Sequence, residues 1–305
     1  MAVNYGLGGF KSGSAYYGGR SGGGAISTTT INDFYPIDIV LSTESSLNVS
    51  VVSDYKLQVN LQGFYYVKYS ITSSEASGAD FTAGISINEL APETAGRTQF
   101  NSKQGDEYTS NSSTIVKIQG TDTITIVVAN NSDEEAITID NFNITLIRIG
   151  DLAIQNQNFL SGTSFIALQY GGSDPFSYAA QDTFYKIDFT LTTIQAQQIK
   201  HPDNNIKILQ DGFYFIDWNL STDGSSNDNF TIGLMKNGET NSDVLTYPQQ
   251  RFNSKGGSLF QTGLQCLLQL KKDDTICMAI ANNSDTTGNT KFRENNLVAI
   301  RVGNI

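Results

Sequence analysis

The sequence predicts an all-β protein built as two tandem β-sandwich domains that arose by internal duplication. Three observations predict it. Short runs of alternating apolar and polar residues recur along the chain, while helical periodicity is hard to find. Those runs are rich in β-branched and aromatic residues and are separated by Asn, Ser, Asp and Gly clusters. Blocks of the first half return in the same order in the second.

The duplication is read by subtraction. "VANNSD" at Val128 returns as "IANNSD" at Ile280, and 281 − 129 gives an offset of 152 between their alanines. "GFYYV" from Gly63 matches "GFYFI" from Gly212, offset 149, and "FYPIDIVLST" from Phe34 matches "FYKIDFTLTT" from Phe184, offset 150. "FNSK" at Phe100 recurs at Phe252, and "LIRIG" ending at Gly150 matches "AIRVG" ending at Gly303. Small loop insertions account for the drift. A period of about 150 residues is too long for a solenoid unit and suits one whole domain. The expected organisation is a Gly-rich N-terminal arm over 1–30, a first domain over 31–150, a linker over 151–180 and a second domain over 181–305.

Taken in order, the first repeat offers strands at "KLQVNL", "FYYVKYSI", "TITIVVA" and "NITLIRI". The second offers "NIKIL", "FYFIDWNL", "TICMAI" and "LVAIRV". The twin "ANNSD" then falls between two strands, where Asn and Asp accept left-handed backbone and bond back to their own chain. Its recurrence reports shared architecture rather than chemistry.

The leader "MAVNYGLGGFKSGSAYYGGRSGGGA" is Gly- and Ser-rich, lacks the continuous apolar core of a secretory signal, and reads as a flexible tail or an assembly arm ordered on a neighbouring subunit. No stretch approaches the roughly 18 apolar residues of a membrane span. Net charge is −11, with 8 basic and 15 acidic residues up to Gly150 and 11 and 15 after it. Neither half carries the basic field that nucleic-acid binding requires, so the domains are not expected to bind nucleic acid directly. Cys266 and Cys277 flank "KKDD", read as a hairpin turn. Alternation turns Cys266 toward the core and Cys277 away from it, so two free thiols are expected.

Each repeat runs through an aromatic strand with "FY.ID", a Gly-Phe-Tyr strand, an "FT.G…N" strand, an apolar hairpin and a closing strand of the type "IR.G". This order resembles the jelly roll of tumour-necrosis-factor-like and complement-type proteins. The residues that carry the resemblance are Gly63, Tyr65, Thr123, Ile124 and Asn130, then Gly212, Tyr214, Leu270, Asp274, Ile276 and Asn282. The first repeat departs at "QGTDT", where Thr121 separates Gly from Asp. The resemblance implies two tandem jelly-roll β-sandwich domains and a homotrimer. Two jelly rolls in one chain also resemble double jelly-roll viral capsid proteins, in which three chains place six barrels around a threefold axis.

A search for chemistry assigns no catalytic residue, no cofactor and no metal site. His201 is the only histidine, which excludes a histidine-containing triad and a histidine-rich metal site. The acidic clusters Asp133-Glu134-Glu135 and Asp223 to Asp228 read as solvated loops, with calcium ligation as the alternative. Trp218 alternates with Asp217 and Asn219 and reads as core or subunit interface. The expectation is a non-enzymatic structural virion protein, a major capsid protein assembling as trimers into an icosahedral shell beside neighbouring capsid subunits and other virion proteins. The alternatives are a capsid decoration or spike, or a trimeric cell-surface or extracellular module that binds a receptor or glycan.

Overall fold

The computed structural model describes residues 15–38, 42–53, 55–74, 79–89, 96–101, 108–132, 136–150, 165–171, 175–188, 192–197, 199–202, 204–224, 229–253, 259–284 and 289–303. The first repeat forms β1 (Ala15–Ile26), β2 (Tyr35–Pro36), β3 (Ser42–Leu47), β4 (Val49–Ser53), β5 (Lys56–Val59), β6 (Gly63–Ser74), β7 (Asp80–Ile87), β8 (Thr98–Asn101), β9 (Tyr108–Ile118), β10 (Thr123–Asn130) and β11 (Ile137–Gly150). The second forms β12 (Phe165–Gly171), β13 (Pro175–Ser177), β14 (Phe184–Lys186), β15 (Thr192–Gln197), β16 (Ile199–Lys200), β17 (Ile206–Ile208) and β18 (Gly212–Gly224). It continues with β19 (Asn229–Lys236), β20 (Val244–Asn253), β21 (Leu259–Leu270), β22 (Thr275–Asn282) and β23 (Asn289–Gly303).

The first repeat pairs its strands in the orders β3-β1-β11-β6-β9 and β4-β5-β10-β7-β8. The second repeats this position for position, as β15-β12-β23-β18-β21 and β16-β17-β22-β19-β20. The eight central strands of each repeat divide four and four, and the chain crosses between sheets from β5 to β6, from β6 to β7, from β8 to β9, from β9 to β10 and from β10 to β11. That winding is the double Greek key of a jelly roll. The protein is two tandem jelly-roll sandwiches from an internal duplication.

Local chemistry repeats with the same fidelity. Asn130 Oδ1 accepts the Ser132 amide at 2.9 Å and Asn282 Oδ1 the Ser284 amide at 2.8 Å. Ser132 Oγ accepts the Asp80 amide at 2.8 Å, as Ser284 Oγ accepts that of Asn229 at 2.7 Å. Asn88 and Asn237 hold left-handed backbone at φ 54° and 59°, and their side chains donate to Asp122 at 2.8 Å and Asp274 at 2.7 Å. Thr121 and Asp273 occupy the same turn position at φ 79° and 71°, so the departure at "QGTDT" changes residue type and leaves the turn intact. The tyrosine of each Gly-Phe-Tyr strand is pinned alike: Tyr65 donates to the Leu61 carbonyl at 2.6 Å and Tyr214 to that of Gln210 at 2.7 Å.

Period-two alternation builds the cores. From β6, Tyr65, Val67, Tyr69 and Ile71 point between the sheets and meet Leu57, Phe81, Ile126 and Leu146. From β18, Tyr214, Ile216, Trp218 and Leu220 do the same against Phe230, Ile232 and Leu297.

Three expectations change. Ala15–Ile26, expected within an arm over 1–30, is a strand laddered to both β3 and β11. Phe165–Gly171 and Pro175–Ser177, expected within a linker over 151–180, both pair with β23. Backbone N–H and C=O groups pair without regard to side chain, so Gly-rich composition between two strands does not prevent a ladder. The remaining arm, 1–14, and the linker core, 151–164, lie outside the described residues. Finally, β21 and β22 belong to opposite sheets, so Lys271–Asp274 is a turn between sheets rather than a hairpin within one. Cys266 packs at the margin of the core, Cys277 joins a separate outer cluster with Met235 and Ala279, and both are free thiols.

Candidate functional site

The residues singled out for chemistry do not converge. His201 sits in a loop with Nε2 buried and unpartnered, and half-burial lowers its pKa below the usual imidazole value. Asp133, Glu134 and Glu135 lie outside the described residues, as do 225–228 of the second acidic cluster. Among the described residues, no three His, Cys, Asp or Glu side chains form a group able to hold a metal. Trp218 is fully buried in the second core, where its indole N–H donates to Asn295 Oδ1 at 2.5 Å.

What the fold does bring together is the edge of the first sandwich and the face of the second. The edge is β8, β9 and the Gly96-Arg97 segment before them. The face is the outer surface of the sheet holding β12, β23 and β18. On β9, Ser112, Thr114, Val116 and Ile118 pair with the core row of β6, which leaves Ser113 and Ile115 pointing outward. Ile115 is nevertheless fully buried. It belongs to an apolar cluster with Tyr66 and Ile149 of its own sandwich and Ala167, Val298 and Ile300 of the other.

Polar groups ring that cluster and are matched across it. Asn219 Nδ2 donates to Ser113 Oγ at 2.9 Å. Asn296 donates to the Arg97 carbonyl at 2.6 Å and to Ser112 Oγ at 3.1 Å, while its Oδ1 accepts the Gly96 amide at 3.2 Å. Gln261 accepts the Asn111 amide at 2.8 Å and donates to the Gln99 carbonyl at 3.3 Å. Gly96 lets this segment lie flat on its own sandwich, because its φ is +78° and a Cβ there would stand 2.8 Å from Thr114 Cγ2.

One buried charge lies at the seam. Asp217 projects from β18 away from its own core and is 0% exposed. Tyr66 donates to its Oδ2 at 2.5 Å, and Lys68 Nζ lies 3.1 Å from the same oxygen. A carboxylate removed from water at a cost of several kcal/mol is held by donors from the opposite sandwich, so the two can seat in only one register. Burial, then the Asp217 charge, pushes the Tyr66 phenol far above its ordinary pKa. Tyr66 therefore stays a neutral donor to Asp217 across the seam.

The contact has a direction. The edge of sandwich one meets the face of sandwich two, and corresponding residues approach one another: the rings of Tyr66 and Phe215 are 6.1 Å apart and nearly perpendicular. Ile147 and Ile300, and Ile149 and Val302, are likewise corresponding pairs within the one cluster. The Gly-Phe-Tyr strands β6 and β18 therefore face each other inside one chain. The rest of this surface escaped the sequence reading because "YTSNSSTIVKI" looks like polar loop. Its signal was the alternation of small hydroxyl residues with β-branched ones, matched by Asp217 and Asn219 on an otherwise apolar strand.

No protein-family model matches the chain, and no curated protein does. Among solved structures, the chain is similar to Eiger TNF from S. frugiperda, with 15% identity, 48% of this chain and 97% of that one covered, and a TM-score of 0.35. It is similar to murine APRIL at pH 5.0, with 8% identity, 46% and 98% covered, and a TM-score of 0.32. The globular domain of zebrafish complement 1qA protein gives 10% identity, 46% and 96% covered, and a TM-score of 0.30. Each spans nearly the whole of its own chain and about half of this one.

Proposed function

We propose that the chain is a structural, non-enzymatic subunit of a self-assembling particle, acting as a virion coat protein whose three copies place six jelly rolls around a threefold axis. The observation that supports this reading most is the directed edge-to-face contact between the two sandwiches. A contact that is not self-reciprocal cannot be completed by a pair alone; it propagates until a ring closes or a filament grows. Duplication suits that geometry, because one chain then supplies two adjacent positions already joined in register. The buried seam residues, Tyr66, Lys68 and Asp217 among them, serve to dock the two sandwiches.

The test is the copy number of the chain in purified particles, measured by quantitative mass spectrometry against labelled peptides. Hundreds of copies per particle are expected of a coat. Tens would make it a spike or decoration, and absence from particles would end the virion reading.

A further inference from the structure

Because the sandwiches are duplicates, each has an edge and a face, and the chain joins only one of each. The edge of sandwich one and the face of sandwich two are covered. Among the described residues, their counterparts stay exposed in part: the edge of sandwich two beyond Gln261, and the face of sandwich one beyond the seam residues Tyr66, Ile147 and Ile149. The β-ladders fix the correspondence: Ile115 is paired with Tyr66 as Leu267 is with Phe215. Ile115 is 0% exposed, whereas Leu267 is 59% exposed, more than any other large apolar residue among those described. Its outward neighbours Gln265 and Gln269 are exposed too. The faces differ in the same sense, with Asn296, Val298 and Ile300 of sandwich two buried while Asn143 is exposed and Thr145 and Ile147 are half-buried.

We infer that the row around Leu267 on β21 docks on the face of a second copy of this chain at Asn143 and Thr145, beside the Ile147 that borders that copy's own seam, repeating between copies the contact made within one. The occupant follows from continuity with the contact already present: the exposed leucine stands where an isoleucine is buried, and the surface that would receive it corresponds to the one that receives the isoleucine. The row is uncharged, so docking buries no ion on the incoming side. Copies joined in this way add head to tail. Each brings two sandwiches whose mutual contact is already made, so every closed ring of intact copies holds an even number of jelly rolls. A ring of three jelly rolls cannot be closed by copies alone, because a second copy's domains have their internal edge or face in use.

The inference rests on the assembly reading of the chain and is independent of its virion setting. The test is the mass of the purified full chain by light scattering across a dilution series, for the wild type, Leu267→Asp, Val52→Asp and the double variant Leu267→Asp with Thr145→Lys. Wild type and Val52→Asp, which changes an exposed residue off this surface, are expected to form the same multimer. Leu267→Asp should raise the concentration at which half the chains assemble at least tenfold, with an unchanged circular dichroism spectrum, and the double variant should recover most of that loss through an acid–base pair across the contact. A monomeric wild type, as expected if a foreign jelly roll fills the open place, overturns the inference. So does Leu267→Asp assembling like wild type, or a double variant no better than Leu267→Asp. A monomeric wild type abundant in particles would remove this inference alone, and a multimer absent from particles would remove the coat reading alone.

Discussion

Asp217 shows how much a single position can carry. Its carboxylate accepts from Tyr66 and Lys68, which belong to the other sandwich, so Asp217→Ala strands a phenol and an ammonium at the seam. Lys68 keeps partial access to water, with its side chain 26% exposed, which tempers the loss. A destabilisation of about 2–4 kcal/mol is expected by urea denaturation, against nearly none for Lys207→Ala, whose partner Asp273 lies at the surface. His201 gives a pH signature. Its folded pKa is lowered, so the stability it contributes is present above the unfolded value of about 6.5 and is lost as pH falls below it. Between pH 7.5 and 5.5 the thermal midpoint should drop in the wild type and drop less in His201→Gln. The thiols give a third: burial pushes Cys266 up to about 12 and Cys277 to about 11. Alkylation of the native chain at pH 8 should run about 100-fold or more below the rate for an exposed thiol, and two cysteines should react on unfolding.

At the scale of elements, strands with one apolar row were legible because their alternation is the physical cause of their burial. The Gly-Phe-Tyr strands, "TITIVVA" and "TICMAI" read directly as β6, β18, β10 and β22. Strands β1 and β12 were not legible, since their places are secured by backbone ladders that composition does not report. Nor was β9, whose outward row is buried by a partner 100 residues and more away in sequence, so its hydroxyls mimic a solvated loop. Cys266 and Cys277 are kept apart by strands of opposite sheets, which alternation does not report: it gives a strand's faces but not the sheet to which its neighbour belongs. Duplication also makes element energetics testable in pairs. Asn88 and Asn237 hold left-handed backbone and brace the same turn with side-chain bonds. Alanine at either should cost about 1–2 kcal/mol, and the two losses should agree within error.

For the whole molecule, the two sandwiches act as one body joined through a seam that is apolar at its centre and hydrogen-bonded at its rim. The sequence reading anticipated a threefold assembly from resemblance. The seam now supplies a physical reason for assembly, since the duplicate of a covered surface stays exposed in part on the same chain. Charge modulates it: each copy carries −11, so copies repel at low ionic strength while the row around Leu267 is uncharged. Assembly is therefore expected to strengthen between about 10 mM and 150 mM salt, as screening shortens the repulsion to about 8 Å. Native mass spectrometry of the wild-type chain at micromolar concentration tests the central claim most directly. Three copies of a 33.2 kDa chain give 3 × 33.2 = 99.6 kDa, and the account predicts that species. A single species at 33.2 kDa, unchanged by salt or concentration, would contradict it.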